Sequence, residues 1–348
     1  MVRGSSERWF PTLGCGPSGP SRIPLARGAL ASWHAGPPSE TGAGRCGGDA
    51  LFHLLPLRLI GGPNVLAGMD RSVETKTLAV PGGKLAYEEG GTGQPVVLLH
   101  EGIADRRMWN REFPLLARGH RVVRYDLRGF GGSTPAASTY SAVSDLHALL
   151  DHLHLERPLI VGPSMGGRIA LDLALAHPGR AGGLLLVAPG YSGMDYAHVP
   201  GGKATFERDE RLSKAAADAW TAGNLEEATE HLRQLWASAL TGSALDLFRT
   251  MVRENAKEVF EDRSAQHDTR SGAPAAGRLG EVRVPTLILV GDRDNPAMPP
   301  LADYLGRGIP NAEVEVVPGA DHLLNLSRPD AFDAALARAV FRVRGSTR

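Results

Sequence analysis

The sequence is poor in cysteine, and its two cysteines, Cys15 and Cys46, both lie within the first 50 of its 348 residues. The rest of the chain has none, which excludes a disulfide framework or a cysteine-ligated metal site in the main body. Cys15 and Cys46 could form a disulfide with each other. In a segment rich in glycine and proline, however, we expect two free thiols.

The chain also lacks long apolar runs and an excess of either charge. Its best candidate for a span, LFHLLPLRLI at 51–60, contains Pro56 and Arg58 and is shorter than the ~18–20 residues that cross a bilayer. The 38 basic residues balance the 38 acidic ones, so neither nucleic acid nor an anionic membrane is indicated as a partner. We expect a soluble, cytoplasmic protein.

Residues 1–68 differ in composition from everything that follows. They contain 13 glycines and 8 prolines but no lysine, and their three acidic residues are Glu7, Glu40 and Asp49. No stretch alternates long enough to form a strand, so the segment would bury too little surface to offset its ordering entropy. We expect a disordered extension or a start assigned too early, with Met69 as the true start. A targeting peptide is the alternative.

Eight segments after Met69 have the pattern of β-strands. The first two alternate apolar and polar residues around PGG, as antiparallel strands do, and the other six are short apolar runs. They are TKTLAV ending at 80, KLAYEE at 84–89, PVVLLH at 95–100, RVVRYD at 121–126, PLIVG at 158–162, GLLLVA at 183–188, PTLILVG at 285–291 and AEVEVV at 312–317.

Helical patterns lie between most of these strands, at Met108–Leu116, Tyr140–His154, Ser164–His177, Leu301–Leu305 and Asp330–Phe341. This alternation predicts an α/β fold: a mostly parallel sheet of eight strands with helices on both faces. We assign 69–189 and 271–348 to this core.

Residues 190–270 interrupt the alternation after the sixth strand. Much of this insert has helical patterns, at 212–220, 225–240 and 244–260. An insertion at the carboxyl edge of a parallel sheet lies where a lid would cover a site. The segment is therefore predicted to be a helical lid, and a helical decoration without a role at a site is the alternative.

Ser164 lies between the apolar run at 158–162 and a helical pattern, within the sequence Gly-Pro-Ser-Met-Gly. This is the G-x-S-x-G pattern of a nucleophile on a sharp strand-to-helix turn. Glycines on both sides relieve crowding there, and the start of the helix offers free N–H groups to a nearby anion. We therefore predict that Ser164 is a nucleophile.

A nucleophilic serine needs a base, and the base needs an acid to orient it. His322 follows the last predicted strand, and both Asp292 and Asp294 follow the strand before it. Serine, acid and histidine thus come from three loops at the carboxyl ends of strands. Their joint presence in this order predicts catalysis.

Residues 72–343 resemble the α/β-hydrolase superfamily. GPSMGG matches its nucleophile turn, and LLHEGIADRRMW at 98–109 resembles its oxyanion loop. YDLRGFGGS at 125–133 resembles the loop after its fourth strand, and GADH matches its histidine loop. GDRD resembles its acid loop Gly-x-x-Asp, which implies that Asp294 rather than Asp292 is the acid.

The resemblance also implies an oxyanion hole made by the backbone N–H groups of Met165 and Gly102. Glu101 stands where the superfamily usually has the glycine of His-Gly, so a carboxylate lies beside this hole and Ile103 becomes an alternative second donor. His100 is expected to hold the loop in place rather than act as a base. Asp126 and Arg128 are expected to hold the geometry of their own loop.

A serine nucleophile disfavours the branches of the superfamily that use a carboxylate nucleophile, and it favours acyl transfer to water. We expect a serine hydrolase that cleaves an ester, lactone or thioester of a small organic substrate through an acyl-serine and needs no cofactor or metal. A cofactor-free perhydrolase and a carbon–carbon bond hydrolase are alternatives, although the latter usually has asparagine where this chain has Pro163. A ligand-binding receptor on the same fold is the non-enzyme alternative.

Overall fold

The computed structural model describes residues 73–194, 202–261, 267–269 and 272–345. The extension 1–68, with its two cysteines, lies outside the described residues, so the predictions about it stay predictions. The described strands form one eight-stranded sheet in the order β1-β2-β4-β3-β5-β6-β7-β8. They are β1 Lys76–Val80, β2 Gly83–Gly90, β3 Gln94–Leu98, β4 His120–Tyr125, β5 Leu159–Pro163, β6 Gly183–Val187, β7 Thr286–Gly291 and β8 Ala312–Val317.

The sheet is mostly parallel, which confirms the predicted fold class. Strand β2 pairs antiparallel with β1 and with β4, whereas β4, β3, β5, β6, β7 and β8 pair parallel in that spatial order. The carboxyl ends of β3 to β8 therefore lie along one edge of the sheet, and the loops that follow them meet there.

Alternate residues of the strands enter two apolar cores, one on each face of the sheet. Ile160 of β5 belongs to the first core and Val161 to the second, and both are fully buried. Helices α2 (Ala142–His152), α3 (Ser164–Ala176) and α8 (Met298–Gly308) contribute to the first core. Helices α1 (Glu112–Leu116), α9 (Leu324–Ser327) and α10 (Pro329–Gly345) contribute to the second.

Between β6 and β7 the described chain forms four helices: α4 Gly202–Thr221, α5 Leu225–Trp236, α6 Gly242–Glu254 and α7 Ala256–Glu261. Their apolar faces form a third core that also includes Leu323, from the segment after β8, and Ile103, from the loop after β3. The insert therefore packs directly on two of the loops at the carboxyl edge of the sheet.

Several helix boundaries differ from the prediction. The prediction of a single helix over 244–260 is wrong, because the chain forms two helices there, α6 and α7. Asn255 separates them, since its side chain bonds to residues outside the insert. The helix predicted to reach residue 240 ends at Trp236, and the N–H of Ala239 donates to Asp321 instead, at 2.8 Å.

Two further boundaries differ. Helix α4 begins at Gly202, ten residues before the start of the helix predicted over 212–220. In place of the single helix predicted over Met108–Leu116, the chain forms a 3-10 turn at Arg106–Trp109 and then α1. Asp105 caps the 3-10 turn by accepting from the N–H of Arg107 at 2.9 Å.

Among the described residues, no helix is both long and apolar enough to cross a membrane. The cytoplasmic location stays a prediction.

Candidate active site

Ser164 occupies a strained turn between β5 and α3. Its backbone φ is +46°, in the left-handed region that a residue with a side chain rarely adopts. Such a conformation costs of order 1–3 kcal/mol and persists only where the surrounding structure imposes it. Here β5 and α3 impose it together, because Pro163 is still paired in the sheet and the helix starts at the next residue.

Two glycines allow α3 to approach the sheet at this turn. A Cβ at Gly162 would collide with the carbonyl oxygen of Gly166, and a Cβ at Gly166 would lie 2.7 Å from the carbonyl oxygen of His100. The second contact also shows that the loop after β3 lies against the first turn of α3. The glycines of the G-x-S-x-G pattern are thus required by close packing around Ser164.

His322 and Asp294 form a hydrogen-bonded pair at the ends of β8 and β7. The Nδ1 of His322 lies 3.1 and 3.0 Å from the two carboxylate oxygens of Asp294, and the Asp294 side chain is completely buried. Asp292 is exposed and instead accepts from the N–H of Gly319 at 2.6 Å. Of the two aspartates after β7, only Asp294 is bonded to the histidine.

The pair favours a protonated histidine in the free protein. Burial alone would lower the pKa of His322, but the charge and hydrogen bond of Asp294, with the carboxyl groups of Glu101 and Asp321, raise that pKa to about 9. Trp236, the last residue of α5, packs on the same imidazole with 4.6 Å between ring centroids and 44° between ring planes. The insert thus places an aromatic ring directly against His322.

The loop after β3 is held by His100. Its Nε2 accepts from the N–H of Leu127 at 2.8 Å, so its Nδ1 carries the proton and donates to the carbonyl oxygen of Glu101 at 2.7 Å. Burial lowers the pKa of His100, which keeps the ring neutral. Both ring nitrogens of His100 are thus hydrogen-bonded, and the ring packs on Phe130 with 4.9 Å between ring centroids. These contacts hold the loop that carries Gly102.

The loop after β4 is held by ion pairs. Asp126 accepts from the N–H groups of Arg106 and Gly132, each at 2.9 Å, and pairs with the Arg106 guanidinium. Arg128 pairs with Asp145 at 2.6 Å. These contacts fix the shape of the loop and engage both charged groups within the protein.

Glu101 is completely enclosed, with 1% of its surface exposed. Neither of its carboxylate oxygens has a hydrogen-bond partner among the described residues. Burial, with smaller contributions from Asp321 and Asp294 and opposition from His322, raises its pKa to about 7. The carboxyl group at this unusual position of the loop is therefore a buried, titratable neighbour of His322.

The comparisons with known proteins agree with this arrangement. Residues 96–335 match the profile of the family described as the Alpha/beta hydrolase family. The chain belongs to that family. A solved thermophilic esterase from Thermogutta terrifontis is 26% identical with a TM-score of 0.64, covering 78% of this chain and 99% of its own.

Two curated relatives carry other activities in their names. A protein from Cupriavidus pinatubonensis, named 2-hydroxy-6-oxononadienedioate/2-hydroxy-6-oxononatrienedioate hydrolase, is 30% identical over 264 residues, which cover 71% of this chain and 86% of its own. A protein from Synechocystis sp., provisionally named a non-heme chloroperoxidase, is 28% identical over 272 residues, 72% of this chain and 92% of its own. This alpha/beta hydrolase is thus an enzyme of the hydrolase class, and hydrolases of this kind act on small molecules.

Two residues of this hydrolase near the site, Asp209 and Trp236, were not predicted from the sequence. Asp209 of α4 is completely buried and accepts from the side chain of Asn295, next to Asp294. In the sequence it lies within the charged run Glu-Arg-Asp-Glu-Arg, which is typical of a solvated face. Trp236 was one of several aromatic residues at helical spacing, and nothing in its local pattern distinguished it from lid core.

Proposed function

We propose that the chain is a serine hydrolase that cleaves an ester, lactone or thioester of a small organic substrate. In this proposal Ser164 is the nucleophile, His322 the general base and Asp294 the acid that orients it. The backbone N–H groups of Met165 and Gly102 form the oxyanion hole. The observation that carries the proposal is the φ of +46° at Ser164, on the same sheet edge as the His322–Asp294 pair.

In the first half of the reaction, Ser164 Oγ attacks the carbonyl carbon and its proton passes to His322 Nε2. The two N–H donors stabilise the oxyanion that forms, each by about 2.7–4 kcal/mol. His322 then gives the proton to the leaving oxygen or sulfur as its bond to carbon breaks. An acyl-serine remains on the enzyme.

In the second half, water attacks the acyl carbon while His322 takes one of its protons. Collapse of the second tetrahedral intermediate breaks the bond between the acyl carbon and Oγ, and His322 returns the proton to Ser164. Throughout the cycle Asp294 accepts from Nδ1–H, which keeps Nε2 free for Ser164 and stabilises the imidazolium.

Residues 190–270 act in this proposal as a lid that covers the site and selects the acyl chain. The packing of Trp236 on His322 and of the insert's core on Ile103 and Leu323 supports this role. Replacing the segment by the insert of a relative should change the profile of preferred acyl chains while Ser164 still reacts with a fluorophosphonate. An unchanged profile in a folded, active chimera would mean that the insert is decoration.

A carbon–carbon bond hydrolase is the second candidate, favoured by the name of the Cupriavidus relative. Against it stands Pro163, where such enzymes usually have asparagine. A cofactor-free perhydrolase, which uses the same triad, is the third. Parallel assays of esters, lactones, a ring-cleavage dienoate and peracid formation from acetate and hydrogen peroxide separate these candidates.

The nucleophile is tested by covalent labelling. A fluorophosphonate probe should label the intact protein and fail to label Ser164→Ala. Equal labelling of that variant would overturn the assignment. A labelled serine without turnover of any acyl substrate would instead favour the ligand-binding alternative.

A further inference from the structure

Four buried carboxyl groups surround His322. Asp294 bonds to its Nδ1, and Asp321 precedes it in the chain with 1% of its surface exposed. Glu101 approaches from the loop after β3, and Asp209 approaches from α4 through Asn295. The catalytic mechanism uses only Asp294, so three of these groups have no role in it.

Two of the extra groups have unmet hydrogen-bonding capacity within the described residues. Both oxygens of Glu101 are buried without a partner, and so is Oδ1 of Asp321, whose Oδ2 accepts from Ala239. A buried acceptor that no protein donor reaches carries the full cost of its desolvation. Burial raises the pKa of Glu101 to about 7, so above neutral pH most Glu101 carboxyl groups carry a negative charge that no hydrogen bond from the described residues compensates.

Positive charge offsets two of these four groups. In the described part of the chain, the charged groups that act most strongly on His322 are Asp294, Glu101 and Asp321, all of them carboxyl groups. The guanidinium of Arg208 lies 3.3 Å from Asp209 but is 41% exposed and also donates to the carbonyl oxygen of Gln234. It therefore offsets Asp209, and the imidazolium of His322 pairs with Asp294. No Lys or Arg of the described residues is among the groups that act most strongly on Glu101 or Asp321.

The ring of Trp236 also packs on the imidazole, with 4.6 Å between the ring centroids. An aromatic face carries partial negative charge, so it attracts cations and apolar groups and offers an anion nothing. Ile103, partly buried against the core of the insert, adds an apolar side chain from the loop that carries Gly102. The surroundings of His322 thus combine buried carboxyl groups with apolar and aromatic side chains.

We propose that this site rejects substrates that carry a carboxylate and takes uncharged or cationic acyl substrates. The proposal rests on the serine-hydrolase function and adds the class of substrate. A carboxylate entering the site would meet like charge in a low-dielectric space, where repulsion is strong. This preference differs from the one that the name of the Cupriavidus relative suggests, because a dioate carries carboxylates.

The test compares p-nitrophenyl esters of one shape and different charge. The esters are those of isoheptanoic acid, which is uncharged, of glutaric acid, which leaves a free carboxylate, and of γ-butyrobetaine, which is cationic. We expect kcat/KM for the glutarate ester to be at least about tenfold below that of the isoheptanoate ester, and the cationic ester not to be disfavoured. Equal values for the uncharged and carboxylate esters would overturn the proposal.

Variants assign the effect to the buried carboxyl groups. Glu101→Gln and Asp209→Asn remove charge at nearly constant shape, and each should bring the two kcat/KM values closer together. Asp246→Asn, at an exposed position of α6 in the same insert, is the matched control and should leave the ratio unchanged. A ratio that Glu101→Gln and Asp209→Asn both leave unchanged would contradict the cause proposed.

A binding measurement makes the inference independent of turnover. The unreactive amides of isoheptanoic acid and of glutaric acid can be compared as protectants of Ser164 against a fluorophosphonate. The uncharged amide should protect at a concentration at least about tenfold lower. If no ester is hydrolysed, the proposed function fails, but the comparison of the two amides still tests the charge preference. Equal protection by the two amides would overturn that preference.

Discussion

At the scale of single residues, three different constraints hold the proposed catalytic groups. The backbone of Ser164 is forced to a φ of +46° by the strand and the helix that meet there. His322 is held from two sides, by Asp294 at its Nδ1 and by the ring of Trp236. The side chain of Asp294 is completely buried and also accepts from the N–H of Asn295 at 2.6 Å. Each side chain is thus held in place before a substrate arrives.

Asp294→Asn should lower ester turnover by up to about 10⁴-fold, because an amide donor at this position would hold the imidazole in the wrong tautomer. Asp292→Asn is the matched control. Its carboxylate is exposed and binds only the N–H of Gly319 among the described residues, so its loss should cost little. Steady-state kcat on one ester checks both variants, and a larger loss for Asp292→Asn would contradict the assignment.

Glu101→Gln should move the acidic limb of the pH–rate profile to lower pH. The charge of Glu101 helps to raise the pKa of His322 to about 9, so its removal lowers that pKa and the neutral base forms at lower pH. The wild-type kcat/KM should accordingly still rise between neutral pH and about pH 9. An acidic limb at the same pH in both proteins would show that Glu101 does not act on His322.

At the scale of elements, the insert is joined to the core by buried polar contacts as well as by its apolar face. Asn255, between α6 and α7, donates from Nδ2 to Asp105 and to the carbonyl oxygen of Met251, both at 2.8 Å. Its Oδ1 accepts from the N–H of Gly131 at 2.8 Å. One side chain thus links the insert to the loops after β3 and β4.

Asn255→Ala should lower the free energy of unfolding by about 2–3 kcal/mol, because it leaves the buried Asp105 carboxylate and the N–H of Gly131 without this partner. Asn311→Ala provides the comparison. Its side chain is exposed and, within the described part of the chain, donates only to the carbonyl oxygen of Arg283 at 3.0 Å, so a change within about 0.5 kcal/mol is expected. Urea unfolding of both variants measures the difference, and similar losses would mean that Asn255 is not a special link.

At the scale of the whole molecule, the hydrolase fold accounts for the chain from β1 onward. The first described strand starts at Lys76, and the family match starts at residue 96. The segment 1–68 contributes none of the motifs that this fold requires.

A protein that starts at Met69 should therefore keep both the turnover and the melting temperature of the full chain. Side-by-side ester assays and thermal melts at equal concentration check this. A lower melting temperature or a lower kcat in the shortened protein would show that the extension contributes to the folded domain.

The sequence by itself determined the sheet and the order of the loops at its edge. All eight strands were predictable. The first two alternate apolar and polar residues as antiparallel strands do, and the parallel strands are short apolar runs that crossovers connect. The sharp turn at Ser164 was predictable for the same local reason, since Gly162 and Gly166 surround a single serine at a strand–helix junction. Such signals depend on neighbours in the chain and can be read from it.

The tertiary structure alone decided which insert residues reach His322 and where the helices of the insert end. Trp236 and Asp209 lie on amphipathic or charged helices whose orientation is set by packing between segments far apart in sequence. Asn255 interrupts a good helical pattern only because Asp105 and Gly131 are there to bond with it. The burial of Glu101 likewise depends on the elements packed around its loop, so its raised pKa was not readable from the chain. Contacts between distant segments depend on three-dimensional packing, and that packing leaves no local pattern in the sequence.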